Sequence, residues 1–132
     1  MSELRLYAIV NMEAMKLAGG NRGKMMAQAG HAFLHAWWDA ASLQRHFYGG
    51  ETRAKAYRDS NSAAKIVLAA ENEAELRGYY DDIFPNRLGI GVTLVTDAAR
   101  TVFPEPTVTF LGLGPLTKEE APEWLQKLKV LI

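Results

Sequence analysis

"VTLVTDAARTVFPEPTVTFLGLGP", residues 92–115, contains two strand candidates and the link between them. Residues 92–96 and 107–113 are rich in Val, Thr, Leu and Phe, the side chains that suit a pleated surface. The ten residues between them include Pro104 and Pro106 and leave no room for a crossover helix. Strands joined so shortly are expected to pair antiparallel. Everywhere else in the chain strands alternate with helices, the arrangement that builds parallel pairs. The sheet is therefore expected to be mixed.

Working outward, LRLYAIV at 4–10 reads as the first strand, and 11–20 as a linker closing on Gly19-Gly20. A helical pattern runs from about 24 to 41. Its expected apolar edge is Met26, Gly30, Phe33, Trp37 and Ala41, widened by Met25, Ala29 and Ala36. Ala27, Ala29, Gly30 and Ala32 are small enough to let another element approach closely. Gly30 costs a helix about 1 kcal/mol relative to Ala, which implies a packing reason for its place. Residues 42–62 are polar, with a short helix expected near 51–58. Ala64–Ala70 is the second strand, and Asn72 with Glu75 forms a capping box that opens a helix to about Phe84. Leu76, Tyr79, Tyr80 and Ile83 mark the core side of that helix. Thr117 with Glu120 is a second capping box, expected to open a final helix to about Lys127, with Pro122 in its early part or at a bend. The order β-α-(α)-β-α-β-β-α is that of an α/β domain with helices on both sheet faces.

At 132 residues the chain is long enough for one domain with a real core, taken as residues 1–132. It has no cysteine, which excludes disulfides, a thiolate nucleophile and a cysteine-based zinc site. There is neither an export-type apolar run at the start nor a stretch near the ~18 apolar residues of a membrane span, so a soluble cytoplasmic protein is expected. Fifteen basic and fifteen acidic side chains cancel, which argues against coating nucleic acid by charge alone. Arg45, Arg53, Lys55 and Arg58 form a candidate basic patch interrupted by Glu51 and Asp59, and a solvated loop and helix end explains it more simply.

Several catalytic motifs are absent. GGNRGKM places Met25 where a phosphate-binding loop needs a hydroxyl for magnesium. His31 and His35 are four apart, and His46 is a third imidazole, but no acidic ligand stands near them in sequence. The tryptophans read mainly as core, with Trp38 or Tyr48 as candidates for exposure. Lys24, Gln28 and His31 fall at i, i+4 and i+7 and share one helix face. Asp97 directly follows the third strand, at the strand end where α/β domains commonly bind ligands. Each has a plain alternative, a wet helix stripe for Lys24 and a turn former for Asp97. Together they define an acid-base and anion site without fixing the reaction.

Two segments taken together carry a resemblance. GKMMAQAGHA at 23–32 and DAARTVFPEPTVTFLGLGP at 97–115, with AAKIVLAAENEAEL between them, resemble the archaeal and eukaryotic (type 2) peptidyl-tRNA hydrolases. The resemblance implies a three-layer α/β/α sandwich with a four-stranded mixed sheet, often a homodimer, and no metal or cofactor. It implies cleavage of the ester between a peptide and the terminal ribose of tRNA, the partner being tRNA that carries a peptide or N-blocked amino acid. The family's catalytic lysine, aspartate and threonine carry over to Lys24, Asp97 and Thr101, and Arg22, Gly23, Gln28 and His31 to substrate binding. The chain departs from the pattern at Ala99, Val102, Pro104-Glu105-Pro106 and in its long first loop. Those departures keep two alternatives open: a non-catalytic relative binding an RNA end, peptide or protein, and a hydrolase of another ester or amide.

Overall fold

The computed structural model describes residues 3–19, 21–43, 50–60, 63–98 and 103–131. Strand β1 (Leu4–Asn11) leads through a short helix α1 (Met12–Leu17) into the long helix α2 (Arg22–Leu43) and the short α3 (Arg53–Arg58). Strand β2 (Lys65–Ala70), helix α4 (Glu73–Ile83), strands β3 (Gly91–Asp97) and β4 (Thr107–Thr117), helix α5 (Glu123–Lys127) and the two-residue β5 (Lys129–Val130) follow. The sheet order is β3-β4-β1-β2-β5. Strands β1 and β2 are parallel, and the β1–β4, β3–β4 and β2–β5 pairs are antiparallel. The mixed sheet and the short antiparallel link are as expected, with β5 adding a fifth strand to the four anticipated. No helix among the described residues is long and apolar enough to cross a membrane.

Central strand β1 shows why its sequence is almost continuously apolar: it is covered on both faces. Leu4, Leu6, Ala8 and Val10 pack toward α1, α2 and α3, while Tyr7 and Ile9 join Leu76, Ile83 and Leu125 from α4 and α5 on the other side. The alternation is the period of two that a strand imposes. Strand β4 continues past 113 to Thr117, because a bulge sets Gly114 and Pro115 opposite Leu6 where Arg5 pairs with Leu116 and Tyr7 with Leu113. A residue without an N–H fits such an unpaired position.

Helix α2 is rotated from its expected orientation. Its buried stripe is Met25, Gln28, Ala32, Ala36 and Ala40, whereas Met26 is 72% exposed. The sheet beneath decides this. A Cβ on Gly112 would lie 2.1 Å from the Ala32 carbonyl oxygen, and one on Gly91 would lie 1.9 Å from that of Ala36. Backbone touches backbone there, so only the alanine side of α2 fits. Phe33 and Trp37 are displaced sideways toward α3, where Trp37 Nε1 donates to the Ala54 carbonyl at 2.9 Å. A Cβ on Gly30 would meet open space, so the packing reason expected of it belongs to Gly112 and Gly91.

Three further local readings change. Residues 12–17 form a helix because buried Asn11 caps it, its Oδ1 accepting from Ala14 N at 3.1 Å while its Nδ2 donates to the Val108 carbonyl at 2.9 Å. Asn72 caps α4 as expected, but Glu75 reaches back one residue further, accepting from Glu71 N at 3.0 Å. The Thr117–Glu120 capping box heads only a 3-10 turn, and α5 begins after Pro122. Ala121 is extended, as a residue before proline prefers, and this splits the expected final helix.

The candidate basic patch dissolves into ion pairs. Lys55 bridges Glu51 and Asp59, and Arg58 also meets Asp59. Arg53 is buried and makes a two-point pair with Glu120, one contact being 2.7 Å. Arg45 lies outside the described residues. Burial of Glu120 opposes its ionisation, but hydrogen bonds from Arg53 and the Thr117 amide outweigh it and hold its pKa below the usual 4.5.

Two predictions follow from this packing. Gly112→Ala must lift α2 from the sheet, and should lower unfolding free energy by at least the ~1–3 kcal/mol typical of overpacking, read from chemical denaturation. Because the folded pKa of Glu120 is depressed, its stabilising contribution is present above about pH 4.5 and lost as pH falls toward the folded value. Glu120→Gln should therefore lower the melting temperature at pH 7 and narrow its gap from wild type in acid, as followed by circular dichroism.

Candidate active site

Asn21 opens α2 by accepting the Lys24 amide on its side-chain oxygen at 3.0 Å. This sets Lys24 in the first turn, where the helix presents unpaired N–H groups and the positive end of its dipole. No acidic residue lies in that turn to offset it. The compensating charge comes from the sheet. Asp97 ends the edge strand β3, its side chain 3% exposed, and its Oδ2 lies 2.6 Å from Lys24 Nζ. One turn further along α2, Gln28 Nε2 donates to the same Oδ2 at 3.3 Å.

Gln28 is fixed in turn by Thr109, whose hydroxyl donates to Gln28 Oε1 at 3.0 Å. Thr109 is fully buried, and its orientation comes from a second β4 bulge: Val95 pairs with Phe110 and Thr96 with Val108, leaving Thr109 between them. Along the chain Thr109–Gln28–Asp97–Lys24 every buried side-chain polar atom has a hydrogen-bond partner. The chain also determines which end of the amide faces the carboxylate, because the oxygen is already engaged.

Beside this chain lies a cleft of about 230 Å³, walled by Gln28, His31 and His35 of α2 and by residues 93–98 of β3 and its end. The structure thus brings together Lys24, Gln28, His31 and Asp97. Arg22 and Gly23 are exposed at the start of α2, and Arg22 borders a different hollow, beside Met25 and Met26. Thr101 lies outside the described residues, as do Ala99, Val102 and His46. Among the described residues, no group of three or more His, Cys, Asp or Glu side chains converges on a metal-sized site.

Thr109 is the residue that the sequence reading missed, and His35, weighed there only as a metal partner of His31, stands in the cleft wall. His35 carried a signal, standing four residues beyond His31 on the same edge. Thr109 carried none, since only the bulge turns it toward α2. Chemically, the site offers a carboxylate held by an ammonium and an amide at the mouth of a polar cleft. Such a group can orient and deprotonate water, and the ammonium can meet a developing negative oxygen.

Comparison with known proteins gives a consistent result. Residues 4–131 match the family described as "Peptidyl-tRNA hydrolase PTH2". A peptidyl-tRNA hydrolase of Methanococcus maripaludis (strain C6) is 30% identical over 124 residues, covering 94% of this chain and 97% of the relative. That of Methanopyrus kandleri is 33% identical over 104 residues, covering 76% and 78%, and that of Methanocaldococcus jannaschii is 28% identical over 113, covering 86% and 90%. With the family match running nearly end to end over a mixed α/β sheet, the chain belongs to the PTH2 family of peptidyl-tRNA hydrolases, whose reaction is hydrolysis of the ester linking peptide to tRNA.

Proposed function

We propose that the Lys24–Asp97 pair is the centre at which this protein hydrolyses the ester between a peptide and the terminal ribose of tRNA. The observation that carries this reading is the 2.6 Å contact between the two groups beside an open cleft. Asp97 takes a proton from water as the water oxygen adds to the ester carbonyl. Lys24 Nζ faces the oxyanion that forms. Collapse of that intermediate breaks the carbon–oxygen bond to the ribose, and the proton held by Asp97 passes to the departing ribose oxygen, which becomes a free hydroxyl. Thr101 is assigned the relay between Asp97 and the water.

Gln28 positions Asp97, and His31 forms part of the cleft wall. Arg22 and Gly23 stand where the positive end of α2 favours a substrate phosphate. The same reading carries a single catalytic domain over residues 1–132, a cytoplasmic setting and a homodimer.

Turnover of an N-acetyl-aminoacyl-tRNA tests the centre. Lys24→Ala and Asp97→Ala should each lower kcat/KM by roughly 10²-fold or more, as expected for loss of acid-base or oxyanion groups. Variants that fold as wild type and retain full turnover would remove both residues from the mechanism. Variants that still bind tRNA without turnover, alongside an equally inactive wild type, would favour a non-catalytic relative. Thr109→Val, which removes one hydroxyl, should reduce kcat roughly tenfold or more by releasing Gln28, with KM little changed. Thr109→Ser, which keeps the donor, should recover most of that loss.

A further inference from the structure

The polar edge of α2 continues past the reaction centre. Lys24, Gln28, His31, His35 and Trp38 are spaced by four, three, four and three residues, so they follow one edge of the helix. The first two belong to the Lys24–Asp97 centre, and the two histidines wall the cleft. Trp38 lies about 21 Å from Lys24 along the helix axis, at a rise of about 1.5 Å per residue.

The rings along this edge touch in series. The His31 and His35 centroids are 5.6 Å apart, and those of His35 and Trp38 are 5.2 Å apart in an edge-to-face contact at 69°. His35 thereby braces the indole of Trp38, which remains 51% exposed. The other two tryptophans have structural roles. Trp37 donates to the Ala54 carbonyl, and Trp124 stacks on Tyr79 while donating to Asp82. Trp38 alone of the three lies more than half open on the surface.

A substrate with its ester at Lys24–Asp97 sends two arms away from the centre, the peptide and the unpaired nucleotides leading to the terminal ribose. Past Lys24, α2 carries no lysine or arginine, so the RNA arm needs another grip along that stretch. Net charge is zero, and the bases of α3 are engaged by Glu51, Asp59 and Glu120. Flat rings in series supply one, because every nucleobase has a face to stack and such stacking tolerates any sequence.

Resting on the ester-hydrolysis reading, we propose that His31, His35 and Trp38 form a stacking platform for the unpaired nucleotides of tRNA next to the terminal ribose, with Trp38 taking the outermost base. The platform holds the RNA arm along α2 while Lys24 and Asp97 act on the ester.

The test compares N-acetyl-aminoacyl-tRNA with the same N-acetyl-aminoacyl group esterified to adenosine alone. Trp38→Ala should raise KM for the tRNA substrate roughly tenfold, the order expected for one lost base–aromatic stack, with a much smaller effect on kcat. Trp38→Phe should restore most of the loss. On the adenosine ester, which lacks the upstream nucleotides, the KM of the alanine variant should shift by less than about twofold, since no outer base is there to stack. Equal KM increases on both substrates would assign the ring edge to the peptide arm and overturn the platform. So would wild-type kinetics for Trp38→Ala on the tRNA. A wild-type protein inactive toward both substrates would instead overturn the ester-hydrolysis reading beneath it.

Discussion

The closeness of α2 to the sheet is the constraint on which the rest depends. At Gly112 and Gly91 the helix backbone at Ala32 and Ala36 occupies the space of a side chain. A helix seated that low must turn its smallest stripe downward, and its rotation about its own axis is then fixed. Once Ala32 and Ala36 face the sheet, Gln28, one turn earlier, is carried beneath the helix beside Thr109, and Lys24 comes within 2.6 Å of Asp97. Packing and chemistry thus share one cause. A side chain at either glycine would tilt or lift α2, and the polar edge would move with it.

The sequence disclosed those features whose causes are local. Strand β1 announces itself through its apolar run, α4 through Asn72, and the mixed sheet through the short proline-containing link between β3 and β4. The rotation of α2 was not legible, because its most hydrophobic edge is not its buried one. Met26, expected on the buried edge, is exposed, while Gln28 is buried. Hydrophobicity identifies which face prefers to leave water, but two glycines on other elements set which face can fit. The final helix ends at Lys127 as expected but starts late: the capping box at Thr117 heads one 3-10 turn, and Pro122 marks the bend before α5.

The site divides along the same line. Lys24, Gln28 and His31 were visible as one helix edge, since their spacing depends on nothing outside α2. Asp97 was visible as a strand end. Thr109 depends on a bulge between β3 and β4, where simple alternation places Thr109 and Phe110 on opposite faces. In the structure both turn toward α2, Thr109 meeting Gln28 and Phe110 packing with Ala32. A bulge of this kind is a relation between two strands, and no single strand's sequence states it.

The cleft owes its shape to two polar tethers between α2 and the edge strand β3. At one end Lys24 and Gln28 hold Asp97, and at the other Asp39 accepts from Val92 N and from Arg87, both at 2.9 Å. Helix and strand run in opposite directions between these points. The walls of the cleft are therefore a helix and a strand, each fixed at both ends, and catalytic groups on such elements hold their geometry better than groups on loops. The tethers also protect an exposed strand edge, because Asp39 occupies a backbone donor that another chain would otherwise pair with. Opening the cleft to admit a substrate then requires breaking an ion pair at one end or a capped strand at the other. On the proposed reading, the economical alternative is for the substrate to enter a cleft already formed, its ester reaching the Lys24 end while its longer arm lies along the helix.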